Sequence, residues 1–148
     1  QILDRGRFTV GAISVGLARG ALEEASRYAK DRQAFGHPIA DFQAIKWMLA
    51  DMKTELSAAQ LLVHRAGQLA STGRPYNKEA SMAKLFASEV ATRACDKAIQ
   101  IDPAYGYAYL NRGIAEEMMR KPDDACSDWK KAASLGVPAA KDYSQDCQ

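Results

Sequence analysis

The sequence predicts an all-α protein: a bundle of three long antiparallel helices continuing into a shorter helix-turn-helix and a terminal capping helix. Apolar residues recur at three- and four-residue spacing along most of the chain, the period of an amphipathic helix. Gly and Pro fall in a few tight clusters that punctuate this pattern. No segment shows the apolar–polar alternation of a strand. With 148 residues, 47% hydrophobic and 26% charged, the chain can build one core, or two small units that share one.

The first helix is expected over residues 4–31, with Val10, Ile13, Leu17, Ala21, Ala25 and Tyr28 as its inward stripe. Gly11, Gly16 and Gly20 lie inside it and mark close packing of helices. Gly36-His37-Pro38 ends that element. The second helix, over 40–72, carries Ile45, Leu49, Met52, Leu56, Ala59, Val63, Ala66 and Ala70 in nearly regular 4-3 alternation. Such a stripe implies lengthwise packing in a bundle. After Gly73-Arg74-Pro75, Asn77 is a candidate N-cap for a third helix over 77–101. Ala83, Ala87, Val90, Ala94, Ala98 and Ile101 form its stripe, with no Gly or Pro to interrupt it. Asp102-Pro103, Lys121-Pro122 and Gly136-Val137-Pro138 then open helices over 104–119, 122–134 and 138–147, each with Pro where a first turn tolerates it.

Several function classes are disfavoured by composition. A net charge of +2 gives no basic footprint for nucleic acid. No apolar run approaches the roughly 20 residues of a membrane span. The chain opens Gln-Ile-Leu-Asp with no initiator Met or signal pattern, so it reads as a trimmed segment with a cytoplasmic setting. Cys95, Cys126 and Cys147 are too widely spaced for a disulfide framework or zinc site and are expected as reduced structural thiols. His37 and His64 have no ligand-spaced companions, so no metal is expected. Tyr105, Tyr107, Tyr109 and Trp129 could line a peptide-binding concavity, although packing is the favoured role, with Trp129 against the end of the third helix.

Two family resemblances sharpen this reading. Leu3-Asp4-Arg5-Gly6-Arg7-Phe8, Ala25-x-x-Tyr28-Ala29, Asp31-Arg32-Gln33-Ala34-Phe35-Gly36, Asp41-Phe42-Gln43-Ala44-Ile45 and Ala94 to Ile101 make residues 3–101 resemble the C-terminal helical domain of acyl-CoA dehydrogenases. The most specific element is Arg-x-x-Phe-Gly with a Gln seven residues beyond Gly36. The resemblance implies that Arg32, Phe35 and Gln43, with Gln100 as a further position, face the flavin of a neighbouring subunit. A guanidinium suits pyrophosphate, and amides suit ring or ribitol oxygens. Where the family continues with a His-Gly-Gly turn and another bundle helix, this chain has Asp102-Pro103-Ala104, and no carboxylate stands in the positions of the family's base.

Residues 88–148 resemble a tetratricopeptide repeat. Tyr109-x-x-Arg112-Gly113 and Ala125-x-x-x-Trp129-x-x-Ala132 carry the likeness, and Ala91 and Ala98 recur as Ala125 and Ala132, at the period of that repeat. Arg112 for Leu and Glu116 for Tyr depart from that pattern. Together the resemblances divide the chain into residues 1–101 and 102–148, with the 77–101 helix shared. They lead to the expectation of an engineered chimera of two helical fragments, without catalytic function, cofactor or working flavin contacts. The alternatives are a tetratricopeptide interaction module and, third, a remnant of a flavin-dependent dehydrogenase. The repeat helices are expected to project away from the bundle, leaving a groove through which two copies pair as a homodimer. A peptide partner is the weaker possibility.

Overall fold

A computed structural model describes residues 2–145 and 147. Six helices account for nearly all of it: α1 (Ile2–Asp31), α2 (Gln43–Ser71), α3 (Asn77–Ile101), α4 (Gly106–Met118), α5 (Pro122–Ser134) and α6 (Ala139–Gln145). Between α1 and α2 lie two two-residue strands, β1 (Gln33–Ala34) and β2 (His37–Pro38), followed by a 3-10 turn at Ile39–Asp41. The expected boundaries hold to within a few residues. The last helix ends at Gln145 rather than at 147, and Asp146 lies outside the described residues.

α1, α2 and α3 run up, down and up, and α4 runs back along α3. The charge pairs across the interfaces record this direction. Arg93 Nε lies 3.1 Å from Glu55 and Lys97 Nζ lies 3.3 Å from Asp51, so α2 and α3 are antiparallel. Lys84 Nζ donates to the Met118 carbonyl at 3.2 Å, while Arg112 Nη1 lies 2.6 Å from Asp96, so α3 and α4 are antiparallel too. The main core draws on α1, α2 and α3 and takes in Ala108 of α4. A smaller outer core of Leu110, Ala125, Trp129, Ala132, Val137 and Ala140 joins α4, α5 and α6.

α3 occupies the centre. All six residues of its predicted stripe are buried, and so are Ala80, Ser88, Ala91 and Cys95. α2 buries Met52, Leu56, Ala59, Val63 and Ala66 as its pattern predicts. α1 differs. Its buried face is Gly11, Ser14, Val15, Ala18, Ala21, Ala25 and Ala29, and Ile13 is left 44% exposed. The reason is steric. A methyl group at Gly11 would lie 3.3 Å from the Ala83 backbone, so the two helices meet through their smallest residues and the larger Ile13 lies outside the contact. Gly16 and Gly20 have nothing within 4 Å of that position, so of the three glycines only Gly11 marks close packing.

The structure corrects five further expectations. A strand pair exists, because Phe35 (φ 53) and Gly36 (φ 83) form a two-residue turn between β1 and β2, held behind by Ile39 N–H donating to Arg32 O at 2.8 Å. Asn77 is not the N-cap of α3. Tyr76 holds that position without a side-chain cap, and the Asn77 amide donates to Asp4 at 2.9 Å. Cys126 and Cys147 are joined in a disulfide, with Cα atoms 5.5 Å apart, so only Cys95 is a free thiol. The two partners lie far apart in sequence, and it is the α5–α6 turn that brings them together. Trp129 is buried as expected, but on Gly113 of α4 and Tyr143 of α6, its ring centroid 5.0 Å from that of Tyr143. The outer core that holds it contains no residue of α3. Finally, α4 does not project outward. It reaches α1, where Ser14 Oγ lies 3.9 Å from Met118 Sδ.

These contacts separate two glycines by the sign of their effect. A methyl at Gly113 would meet Trp129 Nε1 at 2.5 Å and the Ala125 carbonyl at 3.0 Å. Gly113→Ala is expected to lower stability by about 1–3 kcal/mol through overpacking. Gly16→Ala, with open space around it, should raise stability by up to ~1 kcal/mol through helix propensity. Urea denaturation of both variants checks the pair of signs.

Candidate functional site

The up-down-up order collects the four residues singled out in the sequence at one end of the bundle. Arg32 and Phe35 lie in the connection after α1, Gln43 opens α2, and Gln100 is the penultimate residue of α3. All four side chains are exposed. Phe35 is the extreme case at 94% exposure. It occupies the left-handed region that a non-glycine residue adopts only at a cost, on the order of 1 kcal/mol. Its sole aromatic neighbour among the described residues is Phe42, ring edge to face at 6.2 Å. The hairpin therefore fixes an apolar ring in solvent, with a guanidinium three residues before it. Tyr105 lies towards the same end, against α1. Burial and the nearby Glu24 carboxylate push its phenol pKa up.

The opposite end carries a cavity of about 670 Å³ between α1, α3 and the end of α4. Leu3, Val10, Met118 and Met119 give it apolar walls, and Arg7, Lys84 and Arg120 add three cations. Arg120 is held at φ 63 just past α4, and Lys84 is tethered to the Met118 carbonyl. A neighbouring cleft of about 350 Å³, between α1 and the α2–α3 turn, is lined in part by Arg5, Phe8, Arg74 and Tyr76. No carboxylate lines the larger cavity among the described residues. It can receive an elongated apolar group with an anionic part, but its walls offer no base.

A third feature lies in the seam of α3, α4 and α5. Arg112 donates from Nε and Nη2 to both oxygens of Asp128, at 2.6 and 2.7 Å, and from Nη1 to Asp96 at 2.6 Å. These bonds raise the Arg112 pKa, that to Asp128 foremost. Glu116, one turn further along α4, has its carboxyl pKa pushed up to about 7, first by burial and then by the nearby Asp128. Burial pushes the Cys95 thiol up to about 12, so it is no nucleophile. Sequence reasoning identifies the hairpin end but misses the cavity and the seam. The seam leaves one trace: Arg112 and Glu116 are the two departures noted from the repeat pattern. The cavity leaves none, since its walls come from opposite ends of the chain.

Comparison with known proteins decides the family. The family model described as the C-terminal domain of acyl-CoA dehydrogenase matches residues 1–122. The chain belongs to the acyl-CoA dehydrogenase family. It is 54% identical over 107 residues to the caffeyl-CoA reductase–Etf complex subunit CarC of Acetobacterium woodii, covering 72% of this chain and 28% of that protein. It is also 54% identical over 102 residues to the benzylmalonyl-CoA dehydrogenase of Aromatoleum aromaticum, covering 69% of this chain and 27% of that protein. The solved butyryl-CoA dehydrogenase of Megasphaera elsdenii superposes on 85% of this chain and 32% of its own, with a TM-score of 0.68 and 39% identity. The chain thus spans less than a third of the length of the relatives it matches.

These matches overturn the expectation of an engineered, non-catalytic chimera. The two relatives at 54% identity carry the names of a reductase and a dehydrogenase, which places the chain in a family of enzymes. The family match also runs through Asp102 and across the whole of α4, where a splice is expected from the sequence. No comparison supports a tetratricopeptide segment. The recurrence of alanines at that spacing arises without one, because α3 and α5 both bury alanine where a neighbouring helix approaches closely. Among the described residues, no helix is long and apolar enough to cross a membrane.

The exposure of the hairpin makes a stability prediction. Phe35→Ala and Arg32→Ala remove side chains that bury little surface within the chain. Both variants should unfold within about 0.5 kcal/mol of the unaltered protein. Chemical denaturation measures this, and a loss beyond about 2 kcal/mol, well outside the range of surface substitutions, would assign these residues to packing.

Proposed function

We propose that this chain supplies the C-terminal helical domain of a flavin-dependent acyl-CoA dehydrogenase or reductase, and that its hairpin end meets the flavin of a neighbouring subunit. The observation that carries the proposal is Phe35, an aromatic ring held almost wholly in solvent by a strained turn. Strain of this kind persists where the surroundings enforce it and clusters at binding sites.

The donor set fits the group. Arg32 is a permanent cation with planar donors suited to a pyrophosphate. Gln43 and Gln100 offer amides of both polarities for ribitol or ring atoms, and Phe35 offers a face for the ring system. When bound, the flavin supplies the two-electron redox chemistry. The chain's own residues bind it, orient it and keep water from its edge.

At the other end, the cavity beside α1 suits part of an acyl-CoA. Leu3, Val10, Met118 and Met119 take the apolar portion, and Arg7, Lys84 and Arg120 attract the anionic portion. Met side chains adapt to varied shapes, so this wall favours tolerance over sharp selection. The two sites stand at opposite ends of the bundle. A flavin held at the hairpin therefore belongs to a different active centre from an acyl group held in the cavity, which supports self-association of the chain, with a homodimer as its simplest form.

Flavin retention tests this reading on the protein from its natural source. Arg32→Ala is expected to weaken flavin binding about tenfold or more, the loss of a hydrogen bond to a charged group. Phe35→Ala should weaken it too, with the fold unchanged. Full flavin occupancy in both variants would defeat the hairpin assignment. Light scattering that returns the single-chain mass at all concentrations would defeat self-association.

A further inference from the structure

We propose that the seam between α4 and α5 is a proton-operated latch: it is closed while Glu116 carries a proton and loosens when that side chain ionises. The inference goes beyond the flavin and acyl-CoA reading and involves neither the hairpin nor the cavity walls.

The geometry rests on how one guanidinium is shared. Arg112 on α4 gives Nε and Nη2 to Asp128 of α5, and Nη1 to Asp96 of α3. Glu116 lies on the same side of α4, and its Oε2 is buried without a hydrogen-bond partner. The charged and titratable groups acting on it are Asp96 and Cys95 from α3, Arg112 from α4, and Asp124 and Asp128 from α5. An ionised Glu116 is thus one more carboxylate beside a cation already shared by two. One turn before it, Trp129 Nε1 presses on Gly113, and that N–H is also buried without a partner. Closing the seam therefore leaves a donor and an acceptor dry at the same interface. A buried acceptor is costly when neutral and far more so when charged. Holding the proton is what makes closure tolerable.

The direction of the effect follows from linkage. With the seam closed, the Glu116 carboxyl holds its proton up to about 7, against an ordinary 4.5. Between those values the closed form binds a proton that the open form has released. Closure therefore weakens as pH rises through this window, by a ceiling of about tenfold per pH unit, and becomes flat above it. Partial solvent exposure of Glu116 lowers that ceiling, leaving about a several-fold change between pH 5.5 and 7.5. α5 and α6 move together, because the Cys126–Cys147 disulfide and the outer core bind them to each other.

Amide hydrogen exchange in α5, corrected for the intrinsic pH dependence of exchange, reads the closure constant directly. Protection several-fold higher at pH 5.5 than at pH 7.5 is expected in the unaltered chain. Glu116→Gln should abolish the difference and stay protected at both values. Equal protection in the unaltered chain, or a pH dependence that survives in Glu116→Gln, overturns the proposal. A second measurement needs no variant: carbon NMR of the Glu116 carboxyl in the unaltered chain. A midpoint near 7, followed by the α5 amide shifts, supports the latch, and a midpoint near 4.5 overturns it.

Discussion

The structure depends on the closeness of approach between α3 and its neighbours. α3 buries alanine six times, together with Ser88, Val90, Cys95 and Ile101. Side chains this small let three other helices lie against a single one. α1 answers with its own small residues, Gly11, Ser14, Ala18, Ala21, Ala25 and Ala29. Dispersion energy in such contacts comes from backbone meeting backbone over a long overlap rather than from a few large side chains. The cost is intolerance, since any added methylene must push a whole helix away. Both candidate sites are positioned by this arrangement: the hairpin because α1 and α2 end where α3 sets them, and the cavity because α4 can lie along α3 and reach α1.

The outer core works differently. Its centre is a large ring, Trp129, lying on a residue with no side chain, Gly113. Around it the polar groups are paired only in part. All three Arg112 nitrogens donate to a carboxylate, while Glu116 Oε2 and Trp129 Nε1 have no partner. The two cores therefore differ in kind, one built of closely packed small apolar residues, the other bordered by charged groups that are only partly paired. That contrast makes α5 and α6 the responsive part of the chain.

Much of the fold was legible in the sequence. The three long helices, their order and the stripes of α2 and α3 follow from spacing alone; α2 buries one face, whereas α3 buries its stripe and four further small residues that the pattern does not mark. α1 misleads because hydrophobicity ranks Ile13 above Gly11, whereas the geometry of the α1–α3 contact ranks them in reverse. The hairpin is invisible to pattern reading, since two-residue strands are too short to show alternation. In the candidate site, the motif marks Arg32, Phe35 and Gln43, the wider family resemblance adds Gln100, and their gathering at one end follows once the helices are counted. The cavity, the charge seam and the Cys126–Cys147 pair depend on segments that meet only after folding. The expectation of a chimera fails for an instructive reason. Alanine at close helix contacts is a demand of packing, and two unrelated architectures can impose it at the same spacing.

The length of α1 carries a consequence of its own. Its 30 helical residues span about 45 Å, at about 1.5 Å and about 100° per residue. The hairpin sits at one end of this rod and the cavity walls Leu3, Arg7 and Val10 at the other. Insertion of a single residue in between would shift the far end only slightly along the axis but would rotate it by more than a quarter turn. The helix thus acts as a phase gauge, holding two remote candidate sites at a fixed angle to each other. Side chains on its exposed face can be exchanged at little cost, but its buried small residues cannot grow, and its length can change only by steps that restore the angle.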